Sequence, residues 1–224
     1  MPISRRYLLT ATPFLLAGCA TQQASRVDPA LSAWLSNYQS MYGAMDNEPF
    51  PVPAVDVSQV NPEFLRRRVR YATREEPGTI VVDLSRRYAY LVQEDGRAMR
   101  YGVGVGKEEA FNLNGVAHIQ RKAEWPRWTP TANMIRREPE RYAQYAGGLG
   151  PGPENPLGPR ALYLYRNGRD TMYRLHGTTE PWTIGTMVSS GCVRFMNQDI
   201  IDLYRRVPVG TKVVISHSPT DAVS

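Results

Sequence analysis

The stretch Thr79–Val105, TIVVDLSRRYAYLVQEDGRAMRYGVGV, decides the fold class. Thr79–Asp83 is a β-branched run, Arg87–Val92 is a second strand-like run, and Ala98–Val105 alternates Met99, Tyr101, Val103 and Val105 with smaller or polar residues. Asp95-Gly96 lies between the last two, and an Asp-Gly pair flanked by such runs is a strong hairpin signal. Working outward, the pattern recurs as Ala161–Tyr165, Asn167-Gly168 and Thr171–Leu175, with further strands expected over Gly115–Gln120 and Thr211–Ser216. One helix stands out in the C-terminal half. Asn197 is placed to cap it, Ile200, Ile201, Leu203, Tyr204 and Val207 form its apolar face, Arg205 and Arg206 suit the negative end of its dipole, and Pro208 and Gly210 stop it. The expectation is a mainly β protein, sandwich- or barrel-like, with one or two helices. Trp125–Pro159, punctuated by Gly147-Gly148 and Gly150-Pro151-Gly152-Pro153, reads as a long lid-like loop.

Residues 20–76 carry weaker signals. Leu31, Trp34, Leu35 and Tyr38 recur at helical spacing within Pro29–Met45, Glu48–Pro53 is proline-stiffened and extended, and Asn61–Tyr71 suggests a short helix with an arginine face. The region reads as spacer and packing, and residues 217–224 as a polar tail.

Composition narrows the function classes. The chain has 224 residues, 42% of them hydrophobic, a net charge of +6, 18 Gly and 18 Pro. A mean hydropathy of −0.42 excludes a polytopic membrane protein and argues against wholesale disorder. The longest basic run is Arg66-Arg67-Arg68, which reads as a solvated face, so nucleic acid is not an expected partner. Two cysteines cannot build a disulfide framework.

Met1–Ala20, MPISRRYLLTATPFLLAGCA, places Arg5 and Arg6 before a ten-residue, mostly apolar stretch ending in small residues, the layout of an export signal. Leu16-Ala17-Gly18-Cys19 has the form of a bacterial lipobox, which makes residues 1–19 a signal with Cys19 as the lipidated residue, and Ser4–Leu9 has the form of a twin-arginine signal. With Cys19 carrying lipid, Cys192 is the only thiol in a disulfide-permitting compartment, so it is either deeply buried or kept for its reactivity.

Chemistry concentrates in Leu175-His176-Gly177-Thr178 and Ser189-Ser190-Gly191-Cys192-Val193-Arg194. A cysteine nucleophile needs a base, a group that orients the base, and donors for the oxyanion. His176 ends an expected strand, and Cys192 follows a glycine that lets substrate approach. Main-chain N–H groups near Gly191 and Cys192 are candidate oxyanion donors, and Arg194 adds charge that lowers a thiol pKa or binds a carboxylate. The bland alternatives are a small buried hydrophobe for the cysteine and a structural histidine. His118 and His217 receive no role, and three scattered histidines without ligand spacing give no metal site. Neither Ser189 nor Ser190 lies in G-x-S-x-G, and no serine is followed three residues later by lysine.

These motifs resemble the signature of the L,D-transpeptidases (the YkuD-type catalytic domain), over Pro77 to Ser216. Asn155-Pro156-Leu157-Gly158, Ile184-Gly185 and Pro208-x-Gly210-Thr211 extend the likeness. Ser190 is a departure, because many members carry a second histidine there. The resemblance implies that Cys192 attacks the carbonyl of the third residue of a peptidoglycan stem peptide, expelling the terminal D-alanine. An amine then resolves the thioester, giving a 3→3 cross-link or attachment of a protein to the wall. His176 is implied as general base, a backbone carbonyl as its orienting partner, and Gly191 and Ser190 as shaping the oxyanion site. Gly177, Thr178, Arg194 and Trp182 are expected around the substrate, with Trp125, Trp128 and Tyr173 as further groove candidates. No cofactor is implied. The expected setting is the periplasm, with peptidoglycan as partner and a membrane anchor through Cys19. Two alternatives stay open: an L,D-carboxypeptidase or hydrolase using water as acceptor, and a non-catalytic wall-binding lipoprotein.

Overall fold

The computed structural model describes residues 29–108, 112–189 and 191–217. The leader with Cys19, Ser190 and the end of the tail lie outside the described residues.

The strands expected around both turns form as read. β2 (Ile80–Asp83), β3 (Tyr88–Gln93) and β4 (Arg97–Gly106) make an antiparallel meander. Asp95 and Gly96 have φ of 60° and 62°, the paired positive values of a two-residue turn that follows the strands' own twist. β6 (Arg160–Arg166) and β7 (Arg169–His176) are joined in the same way through Asn167 and Gly168, at 51° and 73°. β5 (Gly115–Glu124) is longer than expected, because it pairs with β6 along its second half as well as with β10 (Lys212–Ser216) along its first. β8 (Met187–Ser189) and β9 (Val193–Phe195) are short and bracket the cysteine loop.

The strands run β4-β3-β2-β10-β5-β6-β7-β9, and β9 pairs back onto β4, so the sheet closes on itself as a barrel. Inside lie Ile80, Val82, Val103, Ile119, Leu164, Leu175 and Phe195, packed against Ile200 and Leu203 of the C-terminal helix, none more than 1% exposed. The mainly β expectation holds. The helices outnumber the one or two expected: α1 (Pro29–Met41), α2 (Ala132–Arg137), α3 (Pro139–Tyr142) and the C-terminal α4 (Asn197–Arg206). Two of them are short turns within the expected loop, where the Thr131 hydroxyl accepts from Met134 N and starts α2. No helix of the described residues is long and apolar enough to cross a membrane.

Residues upstream of β2 depart most from expectation. Asn61–Tyr71 is not a helix. Asn61 caps one 3₁₀ turn over Pro62–Phe64, and the chain then extends as β1 (Arg67–Arg70), antiparallel to Arg97–Arg100 of β4. The sheet edge along Arg97–Arg100 supplies backbone partners to Arg67–Arg70, while Phe64 and Leu65, just before them, pack onto the sheet face. The segment does pack, as the packing half of the expectation has it. Tyr38, Tyr42, Phe64 and Leu65 cover Val81, Tyr88, Tyr90 and Val214 on the outer face of the sheet. Phe64 lies so close over β4 that a Cβ on Gly102 would sit 2.4 Å from its carbonyl oxygen, which explains a glycine in mid-strand. Each such burial is worth about 1.5–3 kcal/mol, so this cover is a main source of stability.

Candidate active site

β7 and β9 run parallel, with Leu175 beside Val193 and His176 beside Arg194. Leu175 and Val193 point into the core, so alternation sends Arg174, His176, Cys192 and Arg194 to the opposite face. All four line one cleft of about 1090 Å³, roofed by the loop that carries α2 and α3. Cys192 and His176 stand one strand apart and two positions out of step, a Cα separation of roughly 8 Å that a thiol and an imidazole leaning together can close.

His176 is 5% exposed, and its Nδ1 lies 2.6 Å from the carbonyl oxygen of Gly177. A carbonyl only accepts, so this bond assigns the proton to Nδ1 and leaves Nε2 as the basic nitrogen. Burial and then the Arg194 charge push the imidazole pKa down to about 3, while the Gly177 carbonyl pulls the other way. The half-buried Cys192 is the one free cysteine among the described residues. Its Sγ lies 3.9 Å from Met172 O and accepts from the Arg174 main-chain N–H. Burial raises its thiol pKa, and that N–H together with the Arg174 and Arg194 charges offsets the rise only in part. The resting pair is therefore neutral thiol and neutral imidazole. Arg194 pulls the thiol in the expected direction without setting the outcome.

The loop geometry explains the other residues of the motif. Ser189 Oγ donates to Cys192 O at 2.6 Å and accepts from Gly191 N–H at 3.1 Å. The Gly191 donor is thereby engaged within the loop, and of the two expected oxyanion donors the Cys192 N–H remains. Gly191 has φ of 129°, where glycine is favoured. Arg194 pairs with Glu180 at 2.9 Å and ties the segment after His176 to the strand after Cys192. Gly177 is a buried support, and Thr178, also buried, lines the cleft beside it. A Cβ on Gly177 would meet Asn197 Oδ1 at 2.3 Å, and Thr178 N–H donates to that same oxygen at 2.9 Å. Asn197 therefore does not cap α4 as expected; Met196 holds the cap position, and the Asn197 side chain binds the histidine loop instead.

Three aromatic expectations divide. Trp128 and Tyr173 line the cleft. Trp182 does not: it is 60% exposed on a separate small pocket with Val55 and Val60, because the turn over Pro181–Thr183 faces it away. Trp125 is a packing residue, 5.0 Å from the Phe50 ring and donating through Nε1 to Glu48. Sequence reading missed Arg174, Tyr163 and Arg121, a row on the cleft floor, since nothing local marks strand residues that meet only through cross-strand register. It also missed Glu48, whose buried carboxylate accepts from Trp125 Nε1 at 3.1 Å and from Arg160 Nη2 at 2.7 Å. Trp125 and Arg160 are the two stems of the lid, so the upstream strap clips the lid at its base. Among the described residues, no group of three or more His, Cys, Asp or Glu converges on a metal position.

The sequence profile of the L,D-transpeptidase catalytic domain (YkuD) matches residues 77–215, and the chain belongs to that family. It is 36% identical over 142 residues to the probable L,D-transpeptidase ErfK/SrfK of Escherichia coli K12, covering 62% of this chain and 44% of that protein. To the probable L,D-transpeptidase YbiS of the same strain it is 33% identical over 155 residues, covering 66% of this chain and 47% of that protein. The match thus spans less than half the length of either relative. Among solved structures, a Brucella melitensis protein described as a probable carnitine operon oxidoreductase is 45% identical, with 72% of this chain and 99% of that one covered and a TM-score of 0.48. An L,D-transpeptidase from Mycobacterium smegmatis is 15% identical, with 62% of this chain and 58% of that one covered and a TM-score of 0.46. Both TM-scores fall below 0.5, and the family assignment rests on the sequence match.

Proposed function

We propose that the protein is a cysteine-dependent L,D-transpeptidase acting on peptidoglycan stem peptides. The observation that carries this reading is the placement of Cys192 and His176 on one face of adjacent strands in a large cleft, with the imidazole fixed by Gly177 O. In the reaction His176 Nε2 takes the Cys192 proton as the sulfur attacks the carbonyl of the third stem residue. The Cys192 N–H stabilises the oxyanion, and the imidazolium returns its proton to the departing D-alanine nitrogen as the C–N bond breaks. An acceptor amine then gives up a proton to His176, attacks the thioester and restores the thiol. Membership of the family and the open, lid-covered cleft support this reading. Export followed by lipid attachment at Cys19 supplies the setting in which such a wall would be met, and rests on the Met1–Ala20 pattern.

The test is product analysis after incubation with disaccharide-tetrapeptide. Release of D-alanine with cross-linked dimers is expected, and loss of at least about 100-fold in Cys192→Ala and His176→Ala. Monomeric tripeptides alone would replace the transferase by a hydrolase, and undiminished turnover in Cys192→Ala would end the reading.

A further inference from the structure

The cleft is strongly biased in charge. Among the described residues, six arginines line it against two glutamates, Glu154 and Glu180, with no lysine or aspartate. Three of the six are answered nearby: Arg194 by Glu180, Arg174 by Asp170, and Arg141 by Glu138. Arg121 is not. It is exposed, and its described contacts are the Tyr163 ring, 4.1 Å from its Cζ, and the Tyr163 hydroxyl at 3.5 Å.

Its position relative to the thiol follows from register. Arg121 on β5 stands opposite Tyr163 on β6, Tyr163 opposite Arg174 on β7, and Arg174 beside Cys192. The four make one row across the sheet, on the cleft side. Arg174 also lies over Tyr163, with its Cζ 4.4 Å from the ring centroid, so one buried tyrosine holds two guanidinium groups. A guanidinium held over a ring is already partly ordered and loses less freedom when it binds an anion bidentately. Because the Arg121 head group rests over Tyr163, it stands about two strand spacings, roughly 10 Å, from the line of Cys192. That is the reach of one peptide residue together with its side chain.

We infer that Arg121, seated on Tyr163, is a specificity-determining residue that binds a free carboxylate of the donor peptide, carried by the residue that presents the reacting carbonyl or by the one before it. The protein accordingly favours stem peptides with free carboxylates over their carboxamide counterparts. The inference rests on the thioester reading given above. The excess of arginine draws an anionic peptide into the cleft, and the amide forfeits a charge-assisted pair.

The test compares acylation of Cys192 by two synthetic tetrapeptides, one with both internal carboxylates free and one with both as carboxamides, followed by the two singly amidated forms. The free-acid peptide is expected to have kcat/KM about 10-fold higher, mostly through KM, the low end for a charged hydrogen bond because the site is exposed. That ratio should shrink as salt rises from 0.05 to about 0.5 M, where exposed charges are screened. Arg121→Gln should bring the ratio near one, and Arg121→Lys should retain part of it by keeping the charge without the fork. Equal turnover of both peptides by the wild-type protein would overturn the inference and leave the thioester reading standing. A ratio unchanged in Arg121→Gln, with an unchanged melting curve, would also overturn it. Failure of either peptide to acylate wild-type Cys192 would remove the thioester reading, and this inference with it.

Discussion

At the scale of single residues, the proposed chemistry turns on when the proton leaves Cys192. In a thiolate–imidazolium pair the sulfur is charged before substrate arrives. Here burial raises the thiol, and burial with Arg194 holds the imidazole at about 3, so both are neutral at pH 7. Because folding lowers the His176 pKa, its contribution to stability is intact above the free-imidazole pKa of about 6.5 and is lost as pH falls toward the folded value. The check is the rate of iodoacetamide alkylation against pH. It should climb by about tenfold per pH unit from 6 to 8 without a plateau, because the thiolate fraction is still rising there. A plateau between pH 6 and 7 would reveal a preformed ion pair and contradict this state. The residues proposed as nucleophile and base stand out in the sequence because both sit in glycine-flanked motifs. The engagement of the Gly191 N–H by Ser189 Oγ was not, since it depends on a hydroxyl rotamer.

At the scale of elements, what could be read from the sequence was what is local. Asp95-Gly96 and Asn167-Gly168 contain within two residues the backbone signs their turns need, so both hairpins were placed correctly. β1 was misread as helix because its pairing partner, Arg97–Arg100, lies some thirty residues away and leaves no trace in its own composition. The lid was recognised by its glycines and prolines, but its fastening was not, because that fastening is Glu48. The Glu48–Arg160 pair is almost wholly buried, with side chains 4% and 5% exposed. Burial would raise the Glu48 pKa, and the bonds from Arg160 and Trp125 outweigh it and hold the carboxyl below its usual value. Its stabilisation is therefore present above the free-carboxylate pKa of about 4.3 and is lost as pH falls below that. Glu48→Ala removes the near partner of the buried Arg160 and leaves it only the exposed Glu124, 3.8 Å away, which costs about 3 kcal/mol, the low end for breaking a buried pair. The expected outcome is a lower urea midpoint, with early proteolytic cleavage between Pro126 and Pro159. A variant with wild-type midpoint and unchanged cleavage would show that the strap does not hold the lid.

At the scale of the whole molecule, the family match begins at residue 77 while the folded unit begins earlier. Tyr38, Tyr42, Phe64 and Leu65 lie outside that match, yet they bury the sheet's outer face, and Glu48 reaches both stems of the lid. A segment rich in proline and arginine, without a sustained period, shows nothing of this by itself, because each contact joins residues far apart in sequence. The barrel and its closure through β9 onto β4 bring Cys192 and His176 to one face, and on that placement the proposed function depends. The most direct test is the intact mass of the protein mixed with tetrapeptide donor in the absence of an acceptor amine. The account predicts one acyl adduct on Cys192 with stoichiometric D-alanine in solution, and no adduct in Cys192→Ala or His176→Ala. An adduct located on another residue, or D-alanine released at an undiminished rate by Cys192→Ala, would contradict it.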